Sequence, residues 1–112
     1  MLRPLLALVL MTAAAHPADQ RGTRIAQAVA LLDVAQDVCE GRFTVDAEMK
    51  DVLFDHFHEY DIAGLASILS GPLNAFYEDY MAEAKQGRDA FCRNAPAESA
   101  STGYPVIIAG GG

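Results

Sequence analysis

Asp55, His56, Phe57, His58 and Glu59 put two imidazoles and two carboxylates into five consecutive residues. These are donor types that zinc and copper accept. Spacing decides what such a run can do. On a helix, side chains two apart project about 200° from one another, so His56 and His58 cannot close on one ion from a single helix. Asp55 and His58, three apart, do share a face. A helical bundle that holds two metals needs that carboxylate-x-x-His element twice, with two further carboxylates, and the sequence supplies it once. The third imidazole, His16, follows the small-residue triplet Ala13-Ala14-Ala15. Freed as a new N-terminus, it would chelate copper through its amine and its ring. Any metal chemistry is therefore expected at His16, His56, His58 and Asp55.

Other chemistries find less support. Ser67 and Ser70 lack a nucleophile motif, and no G-x-S-x-G is present. The terminal Gly110-Gly111-Gly112 does not sit between a strand and a helix as a phosphate-binding loop would. No cofactor-binding motif appears, and the chain reads as non-catalytic. Cys39 and Cys92 are the only cysteines. They are too far apart for a C-x-x-C redox pair, and an even pair in an oxidising compartment most simply forms one disulfide.

The N-terminus points to such a compartment. Arg3 supplies a positive start, residues 5–11 an apolar stretch, and Ala13-Ala14-Ala15 a cleavage site, the pattern of a secretory signal peptide. The apolar stretch is well short of the roughly 20 residues of a spanning helix, so an integral membrane protein is not expected. Cleavage after Ala15 takes 15 of the 112 residues and leaves 97 in a periplasmic or secreted chain. Losing Arg3 moves the net charge from −7 to −8. Such an acidic chain repels nucleic acid and anionic lipid, and is compatible with a basic protein partner.

The elements that must position these residues are helical. After a flexible polar lead over 16–22, Thr23 is a candidate cap for a helix over 24–40, where Ile25, Ala28, Val29, Leu32, Ala35 and Cys39 recur at helical spacing and Gly41 ends the run. Thr44 is a candidate cap for a second helix over 45–60, with Met49, Val52, Leu53, Phe57 and Tyr60 on its apolar face. Asp51, Asp55 and Glu59 stack four apart on another face. Like charges at that spacing cost a few tenths of a kcal/mol per pair, so this face is expected to be solvated or to meet a partner. A short helix over 62–69, capped by Asp61, is expected to break at Ser70-Gly71-Pro72. A fourth is expected over 72–93, with Gly87 permitting a close helix crossing. No segment alternates with period two, so no sheet is expected. The Pro, Ser, Thr, Ala and Gly composition of 95–112 reads as a disordered tail, with Val106-Ile107-Ile108 an apolar island in it. The expected fold is a small all-α bundle of about four helices, over 23–94, stapled by Cys39–Cys92.

This plan of export, small size, acidic surface and one disulfide is similar to that of exported bacterial immunity and inhibitor proteins. The likeness implies a protein-binding module, and it is one of plan, carrying no residue across. The layout also resembles the small periplasmic acid chaperones in having a signal peptide, a helical domain and two cysteines about fifty residues apart. That resemblance implies a holding activity triggered when protonation reverses the chain's charge. A metal-binding protein is the third expectation.

Overall fold

In a computed structural model the described residues are 17–62 and 66–110. The signal-peptide reading of 1–15 and the ligand role of His16 lie outside them. Among the described residues, four helices and one two-stranded sheet follow in the order α1 (Pro17–Val38), β1 (Phe43–Val45), α2 (Ala47–Ile62), α3 (Ala66–Gln86), α4 (Arg88–Ser101) and β2 (Ile107–Ala109). The protein is mostly helical, with the expected disulfide in place.

Helix α1 is the centre of the molecule. It packs along α3, and other faces meet α2 and α4. Ala26, Ala30, Leu31 and Val34 are therefore buried along with the predicted stripe residues Ile25, Ala28, Leu32 and Ala35. A helix enclosed on most sides is apolar on most sides. It also starts earlier than Thr23. Pro17 opens it, since a first-turn proline lacks only an N–H that has no helical partner, and Arg21 reaches Glu59 of α2 at 3.8 Å. Residues 17–22 are helix rather than flexible lead. Gly41, at φ +79°, turns the chain away after Cys39, in the left-handed region where glycine is favoured.

Helix α2 begins two residues later than predicted. Asp46, not Thr44, caps it, its Oδ1 accepting the Met49 N–H at 3.1 Å. Thr44 lies in β1 instead.

Helix α3 departs most from expectation. It runs through Gly71 and Pro72, and it ends at Gln86, before Gly87. Pro72 forgoes one amide bond to the carbonyl four residues earlier. Leu73, Phe76, Tyr80 and Ala84 nevertheless pack into or against the core, and that packing outweighs the local break. Gly87 marks the boundary with α4 and is not a helix crossing.

The C-terminal segment is ordered, correcting the tail reading. Ala95 and Ser99 are buried on α4, and Tyr104, Val106 and Ile107 are buried beyond it. The reason is a hydroxyl network that composition alone conceals. Ser99 Oγ donates to the Tyr104 carbonyl at 3.1 Å and accepts the Ile107 N–H at 3.1 Å. Thr102 Oγ1 donates to the Ser99 carbonyl at 2.7 Å and accepts the Tyr104 N–H at 3.1 Å. Gly103, at φ +87°, completes the turn. The returning chain forms β2, antiparallel to β1, pairing Phe43 with Ala109, Thr44 with Ile108 and Val45 with Ile107. The unexpected sheet is short and its pattern is hidden, because three-residue strands cannot show an alternation.

Cys39, just past α1, joins Cys92 in the second turn of α4, with Cα atoms 5.5 Å apart. Both are buried in the common core with Leu31, Leu53, Phe91 and Val106.

Candidate functional site

Helix α2 carries most of the residues singled out by sequence, and it sorts them by face. At 100° per residue, Glu48, Asp51, Asp55 and Glu59 fall within an arc of about 80°, and all four are exposed. Leu53 is fully buried on the opposite side, with Met49, Phe57 and Tyr60 packed partly against the core. Val52 and Phe54 lie at the two margins of the acidic arc, 41% and 38% exposed. Large apolar side chains thus flank a ridge of carboxylates. Glu59 is engaged by Arg21 at 3.8 Å. Asp51 and Asp55 have no ion-pair partner among the described residues.

The two histidines diverge, as their spacing requires. His56 is half-buried and turned toward the C-terminal segment. Its Nδ1 lies 2.7 Å from the Tyr104 hydroxyl, and the rings meet edge-on with centroids 5.5 Å apart. His58 is exposed. Among the described residues no three His, Cys, Asp or Glu side chains come together as a metal-binding group, so Asp55 and His58 gain no third donor there. His56 instead pins α2 to the turn after α4.

Sequence reading missed a part-buried polar cluster joining three helices. Tyr80 of α3 donates from its hydroxyl to Glu98 Oε2 of α4 at 2.8 Å. Gln27 of α1 donates from Nε2 to the Tyr80 oxygen at 2.9 Å and to Glu98 Oε2 at 3.2 Å. Burial pushes the Tyr80 phenol well above its ordinary range, and the Glu98 carboxylate adds to this against the bond from Gln27. The hydroxyl therefore remains a proton donor and is no nucleophile. The adjoining cavity, lined by Leu31, Phe91 and Glu98 among others, is about 30 Å³, room for about one water. The cluster is a clasp. Only Glu98's place in the predicted tail kept it from view, since Gln27 and Tyr80 sit on helices that the periodicity predicted.

No helix among the described residues is long and apolar enough to cross a membrane. No protein-family model, curated protein or solved structure matches this chain.

Proposed function

We propose that this protein is a non-catalytic, extracytoplasmic binding module that holds a basic protein partner against its acidic surface. The observation that carries the reading is the exposed face of α2, where Glu48, Asp51, Asp55 and Glu59 form one ridge between Val52 and Phe54. Carboxylates at i, i+4 spacing repel one another, and a basic surface would relieve that cost. Complementary charge speeds encounter and selects the partner, while exposed large apolar side chains supply contact that water leaves on docking. The buried inward face of α2, the Asp46 cap and the His56–Tyr104 contact keep the ridge in one orientation. The disulfide is compatible with an oxidising compartment.

The test is affinity capture with the oxidised, processed protein from an extracytoplasmic extract. One stoichiometric basic protein is expected. Its retention should fall as salt rises, and fall again when the bait carries Asp51→Asn with Asp55→Asn, or Phe54→Ser. A capture indifferent to these changes, or none, would remove the reading. Many unrelated proteins retained only at acidic pH would mark a holding chaperone instead.

A further inference from the structure

We infer that the groove between α1 and α3 receives an arginine side chain of the partner, an inference that rests on the basic-partner reading and names its anchor. The groove is lined by Val29, Ala30 and Asp33 of α1 and by Leu73, Asn74 and Tyr77 of α3, and is a half-open cleft of about 260 Å³. Pockets for drug-sized ligands begin at about 300 Å³, so the space suits a single side chain. Each part of an arginine finds a counterpart. Val29, Ala30 and Leu73 offer apolar walls for its methylene stem. Asp33 offers a carboxylate to the guanidinium, and Asn74 offers an amide oxygen. Tyr77 remains 39% exposed, leaving aromatic surface on which a planar cation can stack.

Charge complementarity identifies the occupant. Among the described residues no cation lines the groove. Asp33 is exposed, and among the described residues it has neither an ion pair nor a hydrogen-bond partner. A carboxylate beside an aromatic ring favours guanidinium over ammonium, because guanidinium binds the carboxylate through two parallel bonds and stacks on the ring. Arginine and tyrosine are also the residues on which interface energy concentrates.

The probe is N-acetyl-arginine amide, titrated into the isotopically labelled oxidised protein and followed by amide and side-chain NMR. Saturable shifts are expected at Val29, Asp33, Asn74 and Tyr77. The neutral isostere N-acetyl-citrulline amide should bind roughly tenfold more weakly, the loss of one charge-assisted contact. Asp33→Asn should abolish the preference for arginine over citrulline, and Tyr77→Leu should weaken arginine binding while keeping the apolar wall. Both residues are exposed, and an unchanged spectrum elsewhere verifies the fold of each variant. Absence of saturable shifts at the groove, or equal binding of citrulline, overturns the inference. The probe does not involve the natural partner. A silent groove alongside a captured basic protein therefore defeats this inference alone, whereas a responsive groove where capture fails supports the arginine site and removes only its assignment to a protein partner.

Discussion

Ser99 holds two backbone groups of the C-terminal segment on one oxygen, the Tyr104 carbonyl and the Ile107 N–H. Replacing it by alanine leaves the Tyr104 carbonyl its bond from the Val106 N–H at 2.7 Å but strands the Ile107 N–H in a buried site, where an unsatisfied group costs about 1–3 kcal/mol. Ser99→Ala should lower the urea midpoint by a corresponding amount with an unchanged denaturant slope. Tyr80 makes a different prediction, one of pH. Its folded phenol is held above the ordinary value of about 10 by burial first and by Glu98 next. Above pH 10 the unfolded chain releases this proton while the folded chain keeps it. The stabilisation is thus complete below about pH 10 and is lost as pH rises through the folded value. Unfolding midpoints measured across the alkaline range should fall, and Tyr80→Phe should make that fall shallower. Neither residue announces itself in the sequence. Ser99 sits among small polar residues whose composition resembles a tail, and Tyr80 belongs to a stripe of aromatics that reads as plain core.

At the scale of elements, the disulfide joins residues 53 apart. In the chain-entropy model a loop of that size stabilises the fold by about 4 kcal/mol, a large share for a domain of this length. The double variant Cys39→Ala with Cys92→Ala should lose about that much in chemical denaturation, and reductant should then have no further effect. The pairing itself was legible, because two cysteines near helix ends admit one bridge. Helices α1 and α2 were legible too, since Ile25, Leu32, Leu53 and Phe57 recur at a period of 3.6. The boundary between α3 and α4 was not. Pro72 and Gly87 are both strong local punctuation, and nothing local tells which yields to packing. Leu73 and Phe76 lie against the core, so the proline is carried inside a helix and the glycine takes the break. Strands of three residues leave no periodic trace at all.

For the molecule as a whole, the segment after α4 closes the core. Val106 and Ile107 are almost entirely buried, and each such side chain contributes about 1.5–3 kcal/mol. Truncation after Thr102 should therefore cost several kcal/mol by the same measure and expose the inner face of β1, read by increased binding of a hydrophobic dye. Of the candidate surfaces, the acidic ridge of α2 was readable because Asp51, Asp55 and Glu59 are spaced along one helix. The arginine groove was not, because Asp33 and Tyr77 come to line one groove only through the register of α1 on α3. The disulfide also bears on how fast this architecture is reached. Along the open chain Phe43 and its strand partner Ala109 are 66 residues apart. With the bridge made, Phe43 lies four residues past Cys39 and Ala109 seventeen past Cys92. The strand search shrinks to a loop of about twenty residues, which lowers the closure cost by about 1 kcal/mol. Oxidation thus turns the pairing of β1 with β2 from a distant encounter into a nearby one. The oxidised chain should refold several-fold faster than the reduced chain, leaving Val106-Ile107-Ile108 exposed to other chains for correspondingly less time.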